Sequence, residues 1–197
     1  MTRVRLTMLA VLAVMAVGAV TASGASAFTE FKETKAAPHK TVQKGSQKLT
    51  AEGSEGSKVV VTCEKVSGEA AFSKTELSGT PKYEECNVAG KAAKVTAACK
   101  IGTTIAGLAN VGKGEGAKTC FTVETNDKSC KLIIKGEQLS KEKITYKNEG
   151  TSLVGEAAVK GLAFESSTGK ACTFKNEAVT GTSGYSGNTI TEGINVA

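Results

Sequence analysis

Six cysteines in a chain that opens like an exported protein constrain this fold more than any other feature. Cys63, Cys86, Cys99, Cys120, Cys130 and Cys172 form an even set, and an even count outside the cytosol reads as three disulfides. Metal ligation is the rival use of cysteine. No C-x-x-C spacing occurs, and the sole imidazole, His39, is remote in sequence from every thiol, so the cysteines are taken as cross-links and no metal or other cofactor is expected.

The compartment follows from the N-terminus. Arg3 and Arg5 supply a positive start, Leu6 to Val20 is apolar except for Thr7 and Gly18, and Ala25-Ser26-Ala27 places small residues where signal peptidases read them. A signal-peptide helix over residues 1–27 with cleavage after Ala27 is therefore expected. At about 1.5 Å per residue the apolar run reaches about 22 Å, short of a roughly 30 Å hydrocarbon core. No later stretch is long and apolar enough to span a bilayer as a helix, so the expected product is secreted or envelope-associated, with no membrane span.

The remaining 170 residues carry 23 Lys, no Arg, 18 Glu and one Asp, a net +4. Lysines and glutamates are interspersed, as in Glu64-Lys65 and across residues 137–143, which describes a solvated surface. Modest positive charge permits contact with anionic cell-wall polymer or another surface protein. Nucleic acid is a poor partner, because the guanidinium forks that read bases and phosphates are missing. Calcium is equally poorly served by a chain whose single Asp is Asp127.

Residues 28–57 are polar and read as a partly flexible lead-in, in which Thr41-Val42 and Gln47 to Thr50 could pair. From residue 58 onward strand signals are dense. Val59-Val60-Val61-Thr62-Cys63 is a β-branched run of strand length, and comparable runs recur to Val196 between Gly, Asn and Ser turns. Leu153 to Phe164 reads as a bent strand, since Gly155 and Gly161 disfavour a helix by about 1 kcal/mol each. The fold class expected is all-β, a two-sheet antiparallel sandwich or barrel-like form stapled by disulfides over residues 58–197. Cys120 and Cys130 lie symmetrically about Thr125, beside Asn126-Asp127-Lys128. A hairpin centred there sets them opposite one another within disulfide range, so Cys120–Cys130 is the favoured pair, with Cys63–Cys86 and Cys86–Cys99 as further local candidates. With no Trp, six Phe and three Tyr, the interior is lean, and such cross-links matter to it.

Catalytic patterns are weak. Gly107 to Lys113 fits G-x-x-x-x-G-K, but Gly114 stands where Ser or Thr would hold Mg²⁺ and no helix follows. Ser167-Thr168-Gly169-Lys170 fits S-x-x-K without its partner motifs. His39 reads as a solvated residue of the lead-in. Glu84-Glu85 is the one adjacent acidic pair, and on a regular strand the two would face opposite ways. Of the three Tyr, Tyr83 and Tyr146 sit in strand patterns, whereas Tyr185 lies in a Gly/Ser segment as the exposed ring that could contact a ligand. The expected function is a non-enzymatic extracellular or cell-envelope structural or binding protein. The alternatives are a carbohydrate-binding module using Tyr185 and a secreted hydrolase with a Glu-based site.

Gly45-Ser46-Gln47, Val61-Thr62-Cys63 before Gly68, and Pro81-Lys82-Tyr83-Glu84-Glu85-Cys86 are followed by Cys99, the pair Cys120 and Cys130, Tyr146-Lys147-Asn148 and Cys172. In this series the chain resembles a loosely defined group of small secreted, cysteine-containing β-rich bacterial proteins of unknown function, of actinobacterial type. The resemblance implies export and disulfides and no particular activity.

Overall fold

The computed structural model describes residues 28–197. The expected signal-peptide helix and its expected cleavage point after Ala27 lie outside them. Fourteen strands run from β1 (Phe31–Glu33) to β14 (Ile194–Val196), and the described chain is all-β. Between those ends lie β2 (His39–Gly53), β3 (Lys58–Phe72), β4 (Glu76–Gly79), β5 (Lys82–Val88), β6 (Lys91–Ala97), β7 (Ile101–Thr104) and β8 (Leu108–Val111). They are followed by β9 (Thr119–Thr125), β10 (Lys131–Lys135), β11 (Gln138–Glu149), β12 (Ser152–Ser166) and β13 (Val179–Glu192).

Twelve of these strands form one antiparallel sheet rather than the two stacked sheets of a sandwich. β4 and β5 both pair with β3 in a single continuous register, Ala70 opposite Gly79 and Ser67 opposite Lys82. They are one stave interrupted at Thr80-Pro81, where proline has no N–H to give the ladder. β6 with β7, β8 with β9, and β10 with β11 are likewise halves of interrupted staves, each pair lying against its two neighbours. β2, β3, β12 and β13 run unbroken. Each stave pairs with the next in sequence, and β13 returns to pair with β2 from Gly181–Gly53 to Thr191–Thr41. The result is an eight-stave up-and-down barrel with no free edge.

Residues 28–57, expected as a polar, partly flexible segment ahead of the β domain, contain β2, which is a full member of the barrel. β2 is flanked on both sides, by β13 and by β3. Its weak apolar signal has a simple cause: its outer face is Lys40, Lys44 and Lys48, and its inward face is mostly polar or small, with Thr41, Gln47 and Ala51 beside a single large apolar residue, Leu49.

Inward and outward residues alternate along each stave, and bulges reset the alternation. On β12 the inward series is Leu153, Gly155, Ala157 and Val159, then Leu162, Phe164 and Ser166, with the register shifting beside Gly161 at φ 81°. On β5, Glu85 adopts φ 54°, so Glu84 and Glu85 both face solvent instead of opposite sides. Both ends of the barrel are plugged. At one, the β1–β14 ribbon lays Phe31, Ile194 and Val196 over Leu153. At the other, the 167–178 connection brings Phe174 into a stack on Phe164 with ring centres 5.7 Å apart. Outside, Lys and Glu pair across the staves, as in Lys58–Glu52 at 3.1 Å and Lys160–Glu142 at 2.8 Å. A lipid-facing barrel would carry an apolar band there.

The three disulfides are Cys63–Cys86, Cys99–Cys120 and Cys130–Cys172. Cys63–Cys86, a local candidate, joins directly opposed residues of β3 and β5. The favoured Cys120–Cys130 pair does not form. The β9–β10 hairpin exists, but Lys131 opposes Glu124, so its centre falls between Asp127 and Lys128 rather than at Thr125. Asp127 accepts hydrogen bonds from Thr125 and Ser129 (2.6 Å each) and fixes that turn. These bonds and the Lys91 ammonium hold its carboxyl well below the usual range. Cys130 then faces Thr125, to which its N–H donates at 2.9 Å, and Cys120 lies far down the strand. Each finds its partner across a long-range contact, Cys99 for Cys120 and Cys172 for Cys130.

Candidate functional site

The barrel interior is not full. A cavity of about 180 Å³ occupies the half toward the β1–β14 plug, and a smaller one of about 70 Å³ lies beyond it. All eight staves contribute to the wall of each, so both belong to the lumen. Their shared wall is Tyr83, Ile101, Val111, Leu162 and Tyr185, which make a waist between the two. The larger cavity exists because its inward positions are small: Gly68 and Ala70 on β3, Ala109 on β8, Gly155 and Ala157 on β12, Thr189 and Thr191 on β13. Eight staves make a lumen that large side chains just fill, and small ones leave room for a single ligand. Thr80, at the interruption between β4 and β5, lines both this cavity and an open recess beside Lys100, Lys113 and Glu115.

Polar groups in the lumen are few and mostly engaged. Thr41 and Thr191 share a hydroxyl–hydroxyl hydrogen bond of 2.8 Å. The Tyr146 hydroxyl donates to Thr103 Oγ1 (2.6 Å) or to the Thr104 carbonyl (2.9 Å). Gln47 is fully buried at the waist. Its Nε2 donates to the Asn188 carbonyl at 2.8 Å, and that bond turns Oε1 toward the Tyr185 hydroxyl, which donates to it. Tyr83 packs edge-on against Phe121, ring centres 6.3 Å apart, and its hydroxyl has no hydrogen-bond partner among the described residues. Burial pushes all three phenols above their ordinary value, Tyr146 to about 12, and Tyr83 is raised further by the nearby Tyr185.

Tyr185 therefore does not present the exposed platform expected of a carbohydrate contact. Its flanking residues Gly184 and Ser186 face outward, opposite Thr50 and Lys48, and the ring turns into the lumen. His39 is also misplaced by sequence. It is 4% exposed, its Nδ1 lies 3.3 Å from the Glu192 carbonyl, its Nε2 lies 3.3 Å from Glu33, and its ring meets Phe72 edge-on. It is a packed residue of the plugged end. In the G-x-x-x-x-G-K stretch, Leu108–Val111 is strand β8, and Asn110 and Lys113 both reach Glu76 (3.0 and 3.4 Å). That stretch builds no phosphate nest. Ser167 to Lys170 lies in the plug connection, where Thr168 Oγ1 accepts the Lys131 N–H at 2.8 Å. Glu84 and Glu85 are paired with Lys82 and Lys65 on the outer surface.

No family model, curated protein or solved structure matches this chain. The lumen was missed in the sequence because it is made by absent bulk. Its available signal was the run of Gly, Ala and Thr at alternate positions of β12 and β13, together with the scarcity of large aromatics.

Proposed function

We propose that this is a non-enzymatic, secreted binding protein whose barrel lumen takes up a small apolar molecule. The observation that carries the reading is the 180 Å³ cavity walled by all eight staves. Apolar cavities of about 150 Å³ stay dry and accept benzene-sized guests, so a closed barrel with such a space has the form of a container. Three disulfides accord with an oxidising, extracellular setting. Contact between surface lysines and anionic wall polymer is weakened as an alternative by the many Lys–Glu pairs on the outer face, which neutralise one another. The test is calorimetric titration with toluene, which has the size of the space. The native protein is expected to bind it and to melt at a higher temperature in its presence. Ala157→Leu, which fills the wall of the cavity, is expected to abolish both effects while leaving the fold intact. An Ala157→Leu protein that binds toluene as well as the wild type would refute the reading.

A further inference from the structure

The chemistry of the waist narrows the guest. Tyr146 and Tyr185 commit their hydroxyl protons to protein acceptors, whereas the Tyr83 hydroxyl commits its proton to none. Among the described residues, the side-chain oxygens sealed in by packing without a partner are those of Gln43, Glu55 and Asn195. The Tyr83 oxygen is not sealed in. It keeps open space beside it, and the space that Tyr83 lines is the lumen on both sides of the waist. Beside it, Tyr185 gives its proton to Gln47, and Gln47 is itself oriented by Asn188, so the Tyr185 oxygen keeps lone pairs free to accept. The waist thus offers one donor, Tyr83, and one acceptor, Tyr185. The other residues shared by the two spaces, Ile101, Val111 and Leu162, are hydrocarbon, and the hydroxyls of Thr41, Thr103, Thr189 and Thr191 lie along the larger space. Among the described residues no charged side chain is buried in the lumen. Glu69, the charged residue on the lining, is exposed at the rim, so an ionic guest would be desolvated without a counter-ion.

Building on the container reading, we propose that the lumen selects a neutral, single-ring-sized apolar molecule carrying one oxygen, which the Tyr83 hydroxyl hydrogen-bonds at the waist. Phenol and toluene match in size and differ at that oxygen, so the pair isolates the claim. Calorimetry on the native, disulfide-bonded protein compares the wild type with Tyr83→Phe. Phenol affinity is expected to fall by roughly three- to tenfold, the effect of one neutral hydrogen bond, while toluene affinity stays within about twofold. An unchanged phenol affinity, or an equal loss for both ligands, overturns the proposal and leaves the container reading standing. Failure of the wild type to bind toluene at all removes the container reading, and this inference with it. Should Tyr83→Phe fail to fold, nuclear Overhauser contacts in the wild type decide the matter: bound phenol is expected to contact the Tyr83 ring, and a bound phenol without that contact overturns the proposal.

Discussion

Tyr146 shows how a single side chain records its surroundings. Its ring packs edge-on against Phe31 with centres 5.4 Å apart, and burial raises its phenol from 10 to about 12, the hydrogen bond to Thr103 offsetting part of the rise. Tyr83 and Tyr185 are shifted the same way by the same cause. In the unfolded chain such phenols lose their protons near pH 10; in the folded protein they keep them. The folded state then holds more protons, so the stability these residues contribute is complete below about pH 10 and falls as pH rises toward 12. Ultraviolet titration of the native protein is expected to show tyrosinate absorbance delayed beyond pH 10 and rising together with unfolding. Three phenols ionising reversibly near pH 10 with the fold intact would contradict their burial. Glycine matters at this scale too. Gly112 has φ 62°, and a Cβ there would lie 2.6 Å from Cys120 Sγ, so a bare backbone is what lets the Cys99–Cys120 bridge sit under the 112–118 loop.

At the scale of elements, the disulfides tie parts of the ladder that turn chemistry leaves loose. Cys130–Cys172 anchors the plug connection to the β9–β10 hairpin and closes a separation of 42 residues, against 23 for Cys63–Cys86 and 21 for Cys99–Cys120. If restriction of the unfolded chain dominates, each bridge contributes about 2–4 kcal/mol, and the longest loop contributes more than the others by about half a kcal/mol. Replacing both cysteines of each pair with Ala and measuring denaturant midpoints is expected to rank Cys130–Cys172 as the costliest loss. A smaller loss there than for either short loop would mean that chain entropy is not what this bridge supplies. The bulges are the other device of this scale. A one-residue slip turns a whole inner face outward, and the shift beside Gly161 is what lets Val159 and Leu162 both face the lumen.

Across the whole molecule, closure of β13 on β2 makes the barrel, and a short ribbon covers one of its ends. The β1–β14 ribbon has only three residue pairs of its own and depends on Ile194, fully buried, and Val196 to hold it over the barrel end. Ile194→Ala is expected to cost about 2–4 kcal/mol by leaving a cavity. Hydrogen exchange is expected to accelerate in the ribbon while the β2–β13 ladder keeps its protection. Loss of protection across the whole barrel at once would show that the plug and the barrel unfold as a single unit.

The sequence by itself determined the strand-rich class, the bent strand at Leu153 to Phe164 and the reading of six cysteines as cross-links, because periodicity, glycine cost and thiol number are local or countable. It left β2 outside the β domain despite the pairing potential of Thr41-Val42 and Gln47 to Thr50, because outer lysines and mostly small or polar inner residues resemble a tail until two neighbours flank them. Its symmetry about Thr125 also points Cys120 to the wrong partner, since Asp127 sets the turn about two residues further on. Closure, the partners of Cys120 and Cys130, and the lumen were decided by tertiary structure alone. Each depends on residues far apart in the chain being brought into register, and the cavity, made of side chains too small to meet, leaves no positive mark in any one segment.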